Sequence, residues 1–242
     1  TTRDPALWEA GSAFGVADGA LAFARAAQNL PSPPRLVWLG SNAEELAAAE
    51  QAGFEACLKS SAEGLRLTLH AGLILITHGF GDVNRYGVDG ATTVQLWHGA
   101  PLKKVQADSP AVFSAGLGRI PGMAALMRRA YRRSTSRISL IPTSSEFFQP
   151  SLVSAFPLDE NRVRVLGGPR SAPLFTGSRE ARIAAPGETL SARLGDLGNR
   201  RVLLYAPTWR NGESDPAIPD DADWQLIEEF CGGMAEGHRF LA

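Results

Sequence analysis

The stretch VQLWHGAPLKKV, residues 94–105, decides the fold, because it joins a buried strand to a sharp stop and to chemically active side chains. Residues 93–97 are mostly apolar or β-branched, which predicts an interior strand, and Gly99 and Pro101 end it. His98 is therefore expected at the carboxyl end of a strand. In open α/β sheets this is the end at which ligands bind.

The side chains of this stretch suggest transfer of a phosphate-bearing group. An imidazole with an ordinary pKa of about 6.5 can accept a proton near neutral pH, which makes His98 a candidate catalytic base. Lys103 and Lys104 can hold phosphate charge close by. The alternative is a histidine that hydrogen-bonds to backbone beside two solvated lysines.

Working outward, short apolar runs alternate with segments of helical periodicity. Two helices are predicted at 43–52 and 62–71, each preceded by capping-box spacing (Ser41 with Glu44, and Ser60 with Glu63). The alternation predicts an α/β fold with a parallel sheet covered on both faces. The six predicted strands are 35–39, 54–58, 73–77, 93–97, 138–141 and 162–166.

The composition changes near residue 176 and predicts two domains. We expect an N-terminal α/β domain at 1–180 and a linker at 181–199 that contains a short helix near 188–194. An incomplete C-terminal α/β domain follows at 200–242, with a buried strand at 201–206 and an amphipathic helix at 223–235. Roughly 45 residues with one strand cannot close a parallel core, so the chain is expected to stop inside its second domain.

Three segments follow predicted strands and each supplies a cation. They are WHGAPLKK at 97–104, GGPR at 167–170 and YAPTWR at 205–210, and the cations are Lys103, Arg170 and Arg210. In parallel sheets, all three lie at carboxyl ends of strands. Two such sheets facing each other would form a cleft suited to a nucleotide diphosphate.

In this order the segments resemble the CDP-glycerol glycerophosphotransferase family, of the teichoic acid polymerase and primase type. The resemblance also includes ALWEAGSAFGVADGALAF at 6–23, ITHGFGDVN at 76–84 and PTSSEF at 142–147. It implies a GT-B-like fold, with a Rossmann-type N-terminal domain and the beginning of a second, truncated one. It also implies transfer of glycerol phosphate, or a related polyol phosphate, from a CDP-linked donor to a hydroxyl of a cell-wall or capsule polymer.

The resemblance assigns roles to individual residues. His98 matches the histidine for which a general-base role is proposed. The chain departs from the family after GGPR, where Ser171 and Ala172 replace the usual Asn and Asp. The second histidine of the family, in a His-Pro segment, lies beyond the end of this chain, so we expect the fragment alone to have little or no activity. The substrate- and phosphate-binding residues are expected to be Gly99, Lys103, Lys104, Arg170, Thr208 and Arg210.

Two weaker signals concern the acceptor. His78, Asp82 and Asn84 follow a strand end and could line an acceptor cleft, although a turn held by Asx hydrogen bonds explains Asp82 and Asn84 as well. A basic amphipathic segment at 122–137 could lie on an anionic membrane or bind a polyanion, or it could be a solvated surface helix. Its arginines are Arg128, Arg129, Arg132, Arg133 and Arg137.

Composition limits the remaining classes. A net charge of −1 provides no general attraction for nucleic acid, and the two distant cysteines form no metal-ligand spacing. We therefore expect no metal, no cofactor and no nucleic-acid partner. The expected location is cytoplasmic, peripheral on the inner face of a bacterial membrane. Two alternatives remain: a GT-B glycosyltransferase with a nucleotide-sugar donor, and a noncatalytic module that binds anionic polymer.

Overall fold

The computed structural model describes residues 2–12, 15–114, 120–196 and 198, together with the isolated positions 223, 225, 226 and 229. The chain forms two compact units, Thr1–Thr176 and Gly177–Ala242. The first unit contains a seven-stranded sheet in the order β3-β2-β1-β4-β5-β6-β7, and every neighbouring pair is parallel. The strands are β1 Asp4–Ala10, β2 Arg35–Gly40, β3 Glu55–Leu58, β4 Ala71–Ile76, β5 Thr92–Gln95, β6 Ile138–Thr143 and β7 Val163–Val165.

Crossover segments connect the parallel strands, and all contain α-helices except the one between β4 and β5, which has a 3₁₀ turn at Phe80–Asp82. Among the described residues, no helix is both long enough and apolar enough to cross a membrane. The helices of the first unit are α1 Asp18–Gln28, α2 Ala43–Gln51, α3 Ala62–His70, α4 Pro110–Ser114, α5 Met123–Thr135 and α6 Gln149–Ala155.

The prediction of an α/β fold with a parallel sheet is confirmed, but the predicted strands did not include the central one, β1. β1 pairs with both β2 and β4, and residues 4–10 were not predicted as a strand. Asp4, Pro5 and Glu9 interrupt the apolar pattern that marks an interior strand. Glu9 is nevertheless fully buried, and its side chain contacts Thr68 of α3, which packs on the sheet.

The two predicted helices at 43–52 and 62–71 form, but each cap lies one residue later than predicted. Asn42 caps α2 by accepting a hydrogen bond from Glu45 N, and Glu45 accepts one from Ser41 N. Ser61 caps α3 by accepting from Gly64 N. Ser41 and Ser60 were therefore wrong as cap residues, because the adjacent Asn42 and Ser61 occupy the N-cap positions.

Apolar side chains fill both faces of the sheet. One cluster contains the buried Trp38 and packs beneath α1, and another contains Leu67 of α3 and Ile74 of β4. A third cluster lies under β6 and α6 and includes Trp97, which directly precedes His98. The core therefore holds the segment that carries the predicted catalytic base.

The segment predicted as a linker is more regular than expected. In the second unit, α7 spans Arg179–Leu194, and the Ser178 side chain caps it by accepting a hydrogen bond from Ala181 N. The prediction of only a short helix near 188–194 was wrong, because a capped helix begins nine residues earlier, at Arg179. The predicted strand 201–206, Thr208 and Arg210 lie outside the described residues, and the division into domains stays a prediction.

Candidate functional site

The end of β5 is shaped by its own side chains. The backbone of Leu96 still donates to the Ile76 carbonyl at 2.7 Å, but the Gln95 side chain accepts the next N–H, from Trp97, at 2.9 Å. Trp97 adopts φ 57°, a left-handed conformation that is uncommon for a bulky residue. Its ring packs edge-on against Phe156, with ring centroids 5.2 Å apart. The turn is therefore anchored in the core and presents His98 at the carboxyl end of the sheet.

A second histidine lies against His98. His78 follows β4, and the two imidazoles stack with centroids 5.5 Å apart and planes inclined by 18°. Asp82 holds the turn that carries His78, because its carboxylate accepts hydrogen bonds from the backbone N–H groups of Thr77 and His78, both at 2.8 Å. The predicted acceptor residue His78 thus meets the predicted base directly.

Asp82 and Asn84 bind backbone groups, those of their own turn and, for Asn84, also the Lys59 carbonyl after β3. Asp82 is only 3% exposed, and the Asn84 side chain donates to the Lys59 carbonyl at 2.8 Å and accepts from Tyr86 N at 3.2 Å. These contacts favour the turn interpretation for both residues. Their predicted contact with an acceptor stays a prediction.

The end of β1 passes closely beneath this turn. A Cβ atom added at Gly11 would lie 2.1 Å from the Asp82 carbonyl oxygen, so only glycine permits the approach. Next to it, the Thr77 hydroxyl donates to the Ser12 hydroxyl at 3.0 Å. Sequence reasoning missed these two residues, because the strand that they follow, β1, was itself not predicted.

A distant segment brings a cation to the same end of the sheet. After β7 the chain forms a 3₁₀ turn, Pro169–Leu174, that packs against α1. Arg170 Nε lies 3.3 Å from Asp18 Oδ1, and a side chain added at Gly99 would come within 3.9 Å of Arg170 Nη2. The structure therefore places the predicted phosphate-binding residues Arg170 and Gly99 together, and it adds Asp18, for which the sequence suggested no role.

The surroundings of His98 favour a neutral imidazole. Burial lowers the pKa of His98 below its usual range, and the nearby His78 and Arg170 lower it further, whereas Asp18 and Asp82 oppose the shift. A histidine with a lowered pKa is unprotonated at neutral pH and can accept a proton. His98 is half-buried, with its Nε2 atom shielded from solvent.

Other predicted residues lie outside this cluster. Lys103 and Lys104 are exposed on the loop that follows the His98 turn. On α5, the arginines Arg128, Arg129, Arg132 and Arg133 are exposed, and the Arg128 guanidinium lies over the Phe113 ring at 4.7 Å. Arg137 differs from these four, because it lies beyond the helix and forms an ion pair with Asp89 at 2.9 Å.

Two concavities lie away from His98. One, of about 310 Å³, is lined by Tyr131 and Arg132 of α5 and by Ser154 of α6, and the other, of about 440 Å³, lies between Tyr86 and Arg137. His98 lines neither of them. Among the described residues, no group of three His, Cys, Asp or Glu side chains could hold a metal ion.

Comparison with known proteins decides the family. A sequence model described as CDP-Glycerol:Poly(glycerophosphate) glycerophosphotransferase matches residues 1–230. The chain belongs to this family of transferases. It is 29% identical over 126 residues to a teichoic acid poly(glycerol phosphate) polymerase of Staphylococcus epidermidis, covering 52% of this chain and 16% of that protein. It is 28% identical over 123 residues to a teichoic acid glycerol-phosphate transferase of Staphylococcus aureus, covering 51% of this chain and 30% of that protein.

Solved structures confirm the fold. The wall teichoic acid polymerase TagF superposes with a TM-score of 0.69 at 23% identity, covering 86% of this chain and 49% of that one. A TagF variant soaked with CDPG gives a TM-score of 0.74 at 22% identity, covering 95% of this chain and 55% of that one. The chain thus spans about half the length of the solved TagF chains and less of the curated relatives. The predicted family and GT-B-like fold class are confirmed.

Proposed function

We propose that this chain is part of an enzyme that transfers glycerol phosphate, or a related polyol phosphate, from a CDP-linked donor to a hydroxyl of a cell-wall or capsule polymer. Membership of the glycerophosphotransferase family supports the class of reaction. The observation that carries the proposal is the half-buried His98 imidazole with a lowered pKa, beside the Arg170 guanidinium at the carboxyl end of the sheet.

In the proposed reaction, neutral His98 accepts the proton of the acceptor hydroxyl. The hydroxyl oxygen then forms a bond to the phosphorus of the glycerol phosphate group, and the bond between that phosphorus and the bridging oxygen breaks. CMP leaves with the bridging oxygen and its electron pair. Arg170 is the described cation best placed to stabilise charge on the phosphoryl oxygens, because its Nη2 atom lies near Gly99, the residue after His98.

Nucleotide release tests this proposal. The complete protein is incubated with CDP-glycerol and a lipid-linked acceptor, and the products are separated by anion exchange. Release of CMP together with a lengthened acceptor is the expected result. Release of a nucleoside diphosphate from a nucleotide-sugar, with no CMP from CDP-glycerol, would instead support a glycosyltransferase.

For the acceptor side, we propose that α5 contacts an anionic membrane surface. Arg129 and Arg133 are exposed one helical turn apart, and Leu126, one turn before Arg129, is 59% exposed. Ile120, just before the helix, is 50% exposed. Exposed apolar side chains next to arginines suit the boundary between lipid headgroups and acyl chains. Each basic residue near an anionic bilayer contributes about 1 kcal/mol.

Vesicle sedimentation tests the membrane proposal. The double variant Arg129→Gln/Arg133→Gln is expected to bind vesicles rich in phosphatidylglycerol about 30-fold more weakly than the unchanged protein. Arg25→Gln/Arg164→Gln is the matched control, because it removes the same charge from exposed positions elsewhere. Equal losses in the two variants would show that net charge, and not α5, drives binding.

A further inference from the structure

The ion pair between Asp18 and Arg170 joins two segments that are far apart in sequence at the proposed site. Asp18 is the first residue of α1, and its side chain is only 10% exposed, whereas the Arg170 side chain is 56% exposed. The carboxylate contacts the guanidinium at Nε, at 3.3 Å. A Cβ atom added at Gly99, the residue after His98, would lie 3.9 Å from Arg170 Nη2, so this terminal nitrogen lies near the turn that carries His98.

Asp18 has an unfavourable backbone conformation that the surrounding structure must stabilise. Its φ is 59°, in the left-handed region, and the only other described non-glycine residues with positive φ are Trp97, Gln106 and Pro157. Asp18 and Trp97 therefore both occupy unfavourable conformations, and both flank the His98 cluster. Such conformations cost about 1–3 kcal/mol each and gather at functional sites.

Packing brings the start of α1 to the end of β5. A Cβ atom added at Gly19 would lie 3.7 Å from Leu96, so the first turn of α1 rests on the residue that precedes Trp97. Asp18 is thus placed where its charge acts on His98 as well as on Arg170. Of the ionisable groups that face His98, Asp18 and Asp82 favour the protonated imidazole, whereas His78 and Arg170 oppose it.

We propose that Asp18 is a positioning residue, whose carboxylate holds Arg170 over the His98–Gly99 turn so that the guanidinium meets a substrate phosphate beside the imidazole. This inference rests on the proposed function. An exposed arginine loses side-chain freedom when it binds a phosphate, and a carboxylate that already fixes Nε removes part of that loss. The anion is then bound by the terminal nitrogens, which match two phosphate oxygens.

The first measurement is an NMR titration of the histidine side chains in this chain. Asp18→Asn removes a charge that raises the pKa of His98, so the His98 midpoint is expected to move to lower pH. Arg170→Gln removes a charge that lowers it, so the midpoint is expected to move to higher pH. In the Arg170→Gln background, Asp18→Asn should lower the midpoint further than it does in the unchanged protein, because release of Arg170 then no longer offsets the lost charge. Equal shifts in the two backgrounds would show that Asp18 acts on His98 by its charge alone and would overturn the positioning role.

The second measurement is binding of glycerol phosphate, followed by the same spectra. Asp18→Asn is expected to bind it roughly threefold to tenfold more weakly, because Arg170 is no longer held. Asp18→Gly tests the same loss with a residue that accepts positive φ, so a folding defect is avoided. Equal or tighter binding by both variants would overturn the positioning role. If the carboxylate merely neutralised Arg170, its removal would let Arg170 bind anions more tightly.

Failure of this inference can be distinguished from failure of the proposed function. If the unchanged protein binds no glycerol phosphate and the complete protein releases no CMP, the proposed function fails and the phosphate role of Asp18 fails with it. If the unchanged protein binds glycerol phosphate and both Asp18 variants bind it equally well, only the role of Asp18 is lost.

Discussion

The two ends of the sheet use their cations differently. At the amino end, Arg3 donates to the carbonyls of Thr68, Ala71, Gly87 and Asp89, which join α3, β4 and the approach to β5. At the carboxyl end, Arg170 has an ion pair through Nε alone and is more than half exposed. Arginines whose donors are taken up by backbone stabilise the fold, whereas a guanidinium with exposed donors can bind a ligand.

Arg162 repeats the pattern of the amino end. Its Nη1 donates to the carbonyls of Ser136 and Ile138, at 2.8 and 3.0 Å, where β6 begins. The carboxyl end instead has two stacked imidazoles and two residues with positive φ. The comparison predicts that substitutions at the amino end reduce stability, whereas substitutions at the carboxyl end reduce activity and affect stability less.

His98 provides the largest expected effect. His98→Ala should reduce the rate of CMP release by the complete protein by about 10²- to 10⁴-fold, roughly 3–5 kcal/mol of barrier, because general-base assistance is lost. His70→Ala is the matched control, because His70 ends α3 at the amino end of the sheet and contacts the Thr2 carbonyl. Similar rates in His98→Ala and the unchanged protein would remove His98 from the mechanism.

Arg3 tests the other end of the sheet. Arg3→Met should lower the free energy of unfolding by about 2–4 kcal/mol, because several hydrogen bonds from a charged donor are lost together. Urea denaturation followed by tryptophan fluorescence measures this change. Arg35→Met, which breaks only an exposed pair with Glu55, should cost about 0–1 kcal/mol. Equal costs would show that the backbone contacts of Arg3 contribute nothing beyond an exposed pair.

Arg170 should contribute less to stability than Arg3 and more to ligand binding. Arg170→Met should lower the free energy of unfolding by about 1–2 kcal/mol, less than Arg3→Met, because one ion-pair contact is lost and Asp18, 10% exposed, loses this partner. Binding of glycerol phosphate should weaken by about 10- to 100-fold, as expected for lost hydrogen bonds to a charged group. A large loss of stability with unchanged binding would place Arg170 with the structural arginines.

Local sequence signals predicted much of this arrangement but not all of it. His98 could be placed at a strand end because an apolar run stops at Gly99 and Pro101. The approach of Arg170 to Asp18 could not be predicted, because it depends on the chain turning back from β7 to α1. Nor does any local pattern indicate that Asp18 and Trp97 adopt positive φ, since tertiary packing imposes it.

The central strand β1 was missed for a related reason. A charged residue in the middle of a strand usually indicates an exposed face, yet Glu9 lies between Val37 of β2 and Ile74 of β4 and is fully buried. The Thr68 hydroxyl donates to its Oε1 at 3.1 Å. Burial raises the pKa of Glu9 to about 8, so this side chain is mostly a neutral acid at pH 7. A neutral carboxyl is compatible with the interior in a way that the sequence does not reveal.

Glu9 lies between the two ends of the sheet, and its effect on stability is expected to change gradually with pH because its carboxyl group titrates. Its pKa is 4.5 in an ordinary setting and about 8 in the folded protein, so between these values the folded state binds one proton more than the unfolded state. Stability from this group is complete below the lower value and is lost as the pH rises toward 8. The free energy of unfolding should fall by about 1.4 kcal/mol for each pH unit in that window.

Glu9→Gln should remove this slope, because an amide does not titrate. Urea denaturation at several pH values between 5 and 8 measures this slope. The free energy of unfolding of the variant, relative to that of the unchanged protein, should increase as the pH rises. Glu63→Gln is the control, because the exposed Glu63 pairs with Arg66, which lowers the pKa of Glu63, and it is charged in both states across the window. If the slope persists in Glu9→Gln, another group causes the pH dependence of stability. Glu9 would then be ionised inside the sheet, which its burial makes costly.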